Sequence, residues 1–183
     1  MSEGTGPGKR IALYLGSAHG ASPASREMTV SVVRTLAASG HSLVYGGGSV
    51  GLMGVAADTA LEAGMEIHGV ITQALLDREI RHTGLTSLEV VDTMTERKQR
   101  IADLADAMVF EVWTAQVLGI HRKPVALIDV EDYWAPMLEM IDRMVERGFF
   151  AAEHRDRLIH LTDPAELTGA LDCWVPAAAK WTS

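Results

Sequence analysis

The amino-acid sequence predicts an α/β protein with a Rossmann-like, doubly wound parallel sheet in a single domain. Short apolar runs alternate with segments of helical periodicity along the chain. The apolar runs are continuous, which is typical of parallel strands that helices cover on both faces. No repeat or linker interrupts the alternation, and 183 residues suit one domain with a substantial core.

Seven strands and five helices follow from this pattern. Each predicted strand is a short, largely apolar run bounded by polar or turn residues. Three predicted helices are followed by Gly40, Gly64 and Gly148, because glycine readily adopts the left-handed conformation that closes a helix. The predicted strands are 11–15, 42–45, 66–71, 88–91, 107–110, 124–129 and 158–161, and the predicted helices are 25–38, 55–63, 95–105, 134–147 and 164–171.

Charge and cysteine content argue against several classes of protein. The net charge of -8 disfavours a nonspecific nucleic-acid partner, which would require a basic face. The single cysteine, Cys173, excludes an intrachain disulfide, and a reducing, cytoplasmic setting fits. The sequence has no basic-then-apolar leader and no long apolar span, so we expect neither export nor a membrane partner.

The run from Tyr45 to Gly54, which reads YGGGSVGLMG, is the most informative stretch. Glycines between a strand and a helix let the backbone approach a ligand, and the helix N-terminus that follows favours a phosphate. Loop 16–20 also follows a strand, so both loops should lie at the carboxyl edge of the sheet, where such folds bind ligands. We therefore predict a flexible tail over residues 1–8 and a nucleotide-binding Rossmann-like domain over residues 9–183.

The glycine spacing alone does not identify the nucleotide. Gly46, Gly48 and Gly51 satisfy G-x-G-x-x-G, but a dinucleotide site also needs an acidic residue about 20 positions further on, at the next strand end. That strand ends in residues 69–72, GVIT, without an acid, which disfavours an NAD-dependent oxidoreductase. The sequence contains no G-x-x-x-x-G-K-[ST], so a P-loop nucleotidase is disfavoured as well.

The sequence has little that indicates a metal site or a serine or cysteine nucleophile. The seven histidines show no paired metal-ligand spacing, so we predict no metal site and no cofactor. His19 stands apart from the others because it lies in a loop that follows a strand. Ser17 lacks the G-x-S-x-G context of a hydrolase nucleophile.

Two polar clusters leave alternatives open. Residues 96–98, Glu-Arg-Lys, are either the solvated first turn of a helix or a group that places Arg97 in the cleft of the glycine loop. In the second case, the guanidinium would hold an anion through paired hydrogen bonds. Glu79 and His82 either form a surface ion-pair patch or belong to the same site.

Taken together, the motifs of this chain resemble the Lonely Guy family of cytokinin-activating enzymes, often mislabelled lysine decarboxylases. The resemblance covers nearly the whole chain, and the motifs occur in the family's order. It implies a Rossmann-like fold, usually dimeric. The matching motifs are the glycine run at 45–54, Leu-Gly-Ser at 15–17, E-x-x-H-x-x-L-T at 79–86, M-x-E-R-K at 94–98, Trp-Thr at 113–114, L-G-I-H-x-K-P-V at 118–125 and Gly-Phe at 148–149.

The resemblance implies hydrolysis of the N-glycosidic bond of a nucleoside 5′-monophosphate to a free base and ribose 5-phosphate. AMP and N6-substituted AMP are the expected substrates, with no metal or redox cofactor. By matching position, the implied substrate-binding residues are Glu79, Arg97, Lys98 and Thr114, with Arg97 also catalytic. Gly46, Gly47, Gly48 and Gly51 would line the pocket. The family also implies a homodimer, to which spare apolar residues such as Leu118, Ile120 and Met137 could contribute.

One family motif, P-G-G-x-G-T-x-E-E, is absent where it should follow the fifth strand. In the family it supplies phosphate-binding N–H groups and the catalytic glutamate. The gap is visible without the family, because the chain between Asp106 and Gly119 has no residue suited to the turn that a parallel strand requires. Either the segment is deleted, leaving an impaired enzyme or a nonenzymatic nucleotide-binding protein, or the natural chain has additional residues between Val109 and Phe110. The need for a turn favours the second explanation.

Overall fold

The computed structural model describes residues 8–78, 80–110 and 123–176. Seven parallel strands in this part of the chain form one sheet in the order β4-β3-β2-β1-β5-β6-β7. The strands are β1 (Arg10–Tyr14), β2 (Ser42–Tyr45), β3 (Ile67–Thr72), β4 (Ser87–Val91), β5 (Ala107–Phe110), β6 (Val125–Ile128) and β7 (Leu158–Leu161).

The described helices lie between or after these strands. They are α1 (Pro23–Ala38), α2 (Gly51–Glu62), α3 (Gln73–Leu76), α4 (Met94–Leu104), α5 (Ala135–Glu146), α6 (Ala152–Arg155) and α7 (Leu167–Cys173), with a 3-10 turn over Pro164–Glu166. Among the described residues, none of these helices is both long enough and apolar enough to cross a membrane.

The sheet is buried on both faces, which confirms the predicted doubly wound fold in a single domain. One core cluster joins α1, α2 and α7 to the sheet, through residues such as Leu36, Ala56 and Leu171. The other joins α4 and α5 to the opposite face, through residues such as Ile101 and Leu138. The continuous apolar strands therefore reflect burial on both sides, as the sequence indicated.

The strand order reverses at the centre of the sheet. The chain runs outward from β1 to β4 and then returns to place β5 on the other side of β1, where Tyr14 pairs in register with Phe110. In doubly wound sheets, the ligand crevice lies beyond the carboxyl ends of the strands near such a reversal. The loops after β1, β2 and β3 all open toward this edge.

Several element boundaries differ from the prediction. Helix α2 begins at Gly51, whereas the sequence predicted a start at Val55. The earlier turn forms because the Leu52 N–H donates to the carbonyl of Gly16 at 3.1 Å, a tertiary contact that offsets the low helix propensity of glycine. The last predicted helix starts as the 3-10 turn at Pro164, and the short helices α3 and α6 had not been predicted.

Candidate functional site

The loops after β1 and β2 meet at the carboxyl edge of the sheet, as predicted. Gly51 has φ +58, and a Cβ on it would overlap the backbone of Ser17 and Ala18. Since the Leu52 N–H also donates to Gly16, the first turn of α2 rests directly on the loop that follows β1. Gly51 is therefore required for close packing of the two loops.

Arg97 reaches the same edge from helix α4. Its Nη2 donates to the carbonyl oxygen of Gly46 at 2.5 Å, and its Nε donates to that of Val70 at 2.8 Å. The remaining guanidinium nitrogen, Nη1, lies 3.7 Å from the sulfur of Met94. The guanidinium thus bridges the ends of β2 and β3, and Nη1 has only a weak thioether acceptor among the described residues.

A capping box sets the direction in which Arg97 leaves its helix. Thr93 accepts a hydrogen bond from the Glu96 N–H at 3.1 Å, and the Glu96 carboxylate accepts one from the Thr93 N–H at 3.1 Å. This reciprocal pair fixes the first turn of α4. Glu96 is therefore engaged by the backbone, and only its neighbour Arg97 turns toward the glycine loop.

The electrostatics of the edge centre on Arg97 and Tyr45. Burial lowers the pKa of Arg97, and the interaction with Tyr45 partly opposes this shift. The pKa of Tyr45 is raised, first by burial and then by Asp58, while Arg97 acts in the opposite direction. Arg97 pairs with no carboxylate in the part of the chain that the structure describes. Because arginine remains protonated in proteins, the edge carries a half-buried positive charge available to an anion.

The glycine loop is paired with a second segment instead of standing free. The Ser49 N–H donates to the carbonyl of Ile80 at 2.8 Å, the His82 N–H donates to that of Gly47 at 2.9 Å, and Gly48 forms an antiparallel bridge with Arg81. The Ser49 N–H is thereby occupied by a protein carbonyl and is not available to a phosphate. The geometry suits a loop that lines a pocket.

Gly47 has a packing role in the same loop. Its φ is +70, and a Cβ there would come within 2.9 Å of Leu88 Cδ1. A Cβ on Gly69 would lie 2.9 Å from the Gly47 Cα, so the two glycines let the loop pass close over β3. The glycine run is therefore shaped by its contacts with β3 as well as by its place at the strand end.

For the other predicted residues, the structure shows fewer contacts or does not describe the residue. Lys98 is half-buried, and no described residue bonds its ammonium group. His19 is exposed in the loop after β1. Glu79 and Thr114 lie outside the described residues, as do Leu118 and Ile120.

No sequence pattern indicated an aromatic pair at the strand reversal. The rings of Tyr14 and Phe110 stack with centroids 4.5 Å apart. Burial raises the pKa of Tyr14 to about 12, and its hydroxyl has no hydrogen-bond partner among the described residues. Both residues lie within apolar strand runs, where an aromatic residue is expected as core. The described residues contain no cluster of side chains that could hold a metal ion.

These features define a Rossmann-like protein with a glycine loop and a half-buried arginine at the carboxyl edge of its sheet. A family model described as "possible lysine decarboxylase" matches residues 53–171. The chain belongs to this family, and its curated relatives carry an enzyme name: cytokinin riboside 5′-monophosphate phosphoribohydrolase. Membership confirms the resemblance found in the motifs.

Two relatives illustrate the extent of the match. A phosphoribohydrolase of that name from Oryza sativa subsp. japonica is 36% identical over 180 residues, covering 92% of this chain and 74% of its own. One from Arabidopsis thaliana is 34% identical over 187 residues, covering 96% of this chain and 86% of its own. The rice match runs over 180 positions but takes in only 92% of the 183 residues here, so some aligned positions have no counterpart in this chain.

Solved structures support the fold alone. A molybdenum cofactor binding protein from Rippkaea orientalis has a TM-score of 0.67 at 15% identity, covering 90% of this chain and 96% of its own. The molybdenum cofactor carrier protein of Chlamydomonas reinhardtii has a TM-score of 0.66 at 18% identity, covering 91% of this chain and 97% of its own.

Proposed function

We propose that this protein hydrolyses the N-glycosidic bond of AMP or N6-substituted AMP to the free base and ribose 5-phosphate, and so activates cytokinins. One observation carries the proposal: the guanidinium of Arg97 is held at the carboxyl edge by the carbonyls of Gly46 and Val70, without a carboxylate partner among the described residues. Membership of an enzyme family with phosphoribohydrolase relatives supports it.

The reaction requires charge stabilisation at both ends of one bond. Water adds to C1′ of the ribose, the C1′–N9 bond breaks, and the electron pair stays on the base, which takes up a proton. Positive charge develops on the sugar and negative charge on the departing base. A fixed cation beside the cleft stabilises the phosphate or the departing base without reorganising during the step. We assign this catalytic role to Arg97.

The remaining assignments rest on the family motifs. Glu79, Lys98 and Thr114 are proposed to bind the substrate, and Gly46, Gly47, Gly48 and Gly51 to line the pocket. Lys98 has no partner among the described residues and follows Arg97 on α4, which suits a second contact to the phosphate. The family gives the general base to a glutamate in the motif that this sequence lacks.

A second candidate is a nonenzymatic protein that binds AMP-like nucleotides. The absence of P-G-G-x-G-T-x-E-E favours it, and the aligned positions of the rice relative that have no counterpart in this chain agree with a missing segment. Intact mass of the protein expressed from the natural gene distinguishes the two cases. A mass above 19.7 kDa by the size of a loop would place additional residues in the natural chain, whereas a mass of 19.7 kDa would establish the deletion.

The test of the proposed activity is product formation from the full chain. AMP, N6-isopentenyl-AMP and adenosine are incubated with the protein, and free base and ribose 5-phosphate are separated by chromatography. We expect equal amounts of both products from the monophosphates and little base from adenosine, which lacks the phosphate. Binding of AMP by calorimetry without turnover would instead favour the nonenzymatic candidate.

We also propose a homodimer in the cytoplasm, with no nucleic-acid or membrane partner. Met137 is only partly buried where α5 packs on the sheet, which leaves apolar surface for a second copy. Gel filtration is the test, and a monomer would contradict the proposal.

A further inference from the structure

Residues Ile80–His82 form a short strap that lies over the glycine loop, and we propose that His82 is a positioning residue for the reaction. His82 would act by fastening the strap to helix α2, which holds the glycine loop in place beside Arg97. This inference rests on the proposed function, since it concerns the same site.

The strap is joined to the glycine loop by backbone pairing on both sides of Gly48. The Ser49 N–H and the Ser49 hydroxyl donate to the Ile80 carbonyl at 2.8 and 3.0 Å. The His82 N–H donates to the Gly47 carbonyl at 2.9 Å. The strap and the loop are therefore paired with each other, and Glu79 immediately precedes the strap in the sequence.

The His82 side chain fastens this unit to the scaffold. Its Nδ1 accepts a hydrogen bond from the Gly84 N–H at 3.2 Å, so in the neutral ring the hydrogen resides on Nε2. Nε2 lies 3.0 Å from Asp58 Oδ1, so it donates to this residue on α2. Only 12% of the His82 side chain is exposed, whereas 70% of the Asp58 side chain is exposed, so the imidazole ring is packed in place while water still reaches the carboxylate.

The opposite side of the glycine loop is held by Arg97. Its Nη2 donates to Gly46, two residues before the bridge between Gly48 and Arg81. The glycine loop is thus held from two sides: Arg97 joins it to α4, and His82 joins it, through the strap, to α2. Loss of the His82 attachment frees the strap while the sheet remains intact, since His82 belongs to neither core cluster.

Three substitutions separate positioning from simple stability. His82→Ala removes both side-chain bonds. His82→Asn can still accept from the Gly84 N–H in an Asx turn but is too short to reach Asp58, whereas His82→Gln can place a donor near Asp58. His68→Ala is the matched control, because His68 bonds Ser87 at 2.8 Å at the start of β3, away from the carboxyl edge.

We expect His82→Ala to lower kcat for base release from AMP by roughly 10- to 100-fold, the range for a misplaced catalytic group, with KM changed by less than about threefold. His82→Gln should recover part of kcat, and His82→Asn should not. Hydrogen exchange read by mass spectrometry should accelerate at the Ser49 and His82 amides of the alanine variant by at least about tenfold. His68→Ala should leave both readouts unchanged.

The outcomes keep this inference apart from the proposed function. An active wild type with an equally active His82→Ala variant would overturn the positioning role alone. If the wild type releases no base, the proposed function fails. In that case, hydrogen exchange at the Ser49 and His82 amides tests whether the His82 side chain holds the strap. Equal exchange rates in the wild type and His82→Ala would show that it does not.

Discussion

The guanidinium of Arg97 occupies the space into which a side chain on Gly46 would project. Its Nη2 donates to the Gly46 carbonyl, and a Cβ built on Gly46 would overlap the same nitrogen. The two residues are 51 positions apart in sequence. Glycine at position 46 is therefore a condition for the arginine to lie at the strand end.

Gly46→Ala should impair activity through Arg97 while the fold survives. The added methyl meets the end of a flexible side chain, so Arg97 can move aside, and its displacement should lower kcat/KM by roughly 10- to 100-fold. The measurement is a double-mutant cycle with Arg97→Ala. We expect the double variant to be no slower than Arg97→Ala alone. Independent, additive losses would show that Gly46 acts on the substrate by another route.

Gly51→Ala should destabilise the protein far more than Gly64→Ala. Both glycines have positive φ, +58 and +68, so each alanine carries the strain of the left-handed region, about 1–2 kcal/mol. At Gly51 the new Cβ also overlaps the backbone of Ser17 and Ala18, whereas at Gly64 no atom lies within 4 Å. Urea unfolding should give a loss above about 3 kcal/mol for Gly51→Ala only. Equal losses would contradict the close approach of the two loops.

His41 should make the protein less stable as the pH falls below neutrality. Burial lowers the pKa of His41 below its usual 6.5, an effect that Asp172 partly opposes and Lys9 reinforces. The unfolded chain then binds the proton more readily than the folded chain, so the free energy of unfolding decreases as the pH drops through 6.5. In the wild type, His41 Nδ1 accepts a hydrogen bond from the Lys9 N–H at 3.1 Å. The substitution His41→Asn removes the titrating ring but keeps an acceptor for this hydrogen bond.

The measurement for His41 is the melting temperature of both proteins at about pH 7.5 and about pH 5.5, on either side of the ordinary histidine pKa. We expect the decrease between these values to be smaller in His41→Asn than in the wild type. An identical decrease in the two proteins would mean that His41 does not contribute to the pH dependence.

The architecture could be predicted because apolar runs and helical periodicity are visible in short stretches of the sequence. Continuous apolar runs such as 107–110 predicted buried parallel strands, and the order of strands and helices predicted the doubly wound sheet. For Arg97, the sequence left two alternatives: a solvated position in the first turn of a helix, or a position beside the glycine loop. The second could be proposed because both segments follow the carboxyl ends of strands, which share one edge in a parallel sheet.

The finer geometry depends on tertiary contacts that no local pattern reports. The strap pairs with the glycine loop over three residues, too few to show a strand periodicity, and His82 meets Asp58 across 24 positions. Helix α2 starts early because of a bond to Gly16 in another loop. The roles of Glu79 and Thr114 stay predictions, since both residues lie outside the described part of the chain.

The central claim, that Arg97 serves a phosphoribohydrolase site, is tested most directly by comparing AMP hydrolysis in the wild type, Arg97→Ala and Arg100→Ala. Arg100 is the matched control, because it lies on the same helix and pairs with Glu89 at 2.8 Å on the surface. We predict release of adenine by the wild type and Arg100→Ala at similar rates, and a loss of at least roughly 100-fold in Arg97→Ala. Equal rates in Arg97→Ala and the wild type, or no adenine from the wild type, would contradict the claim.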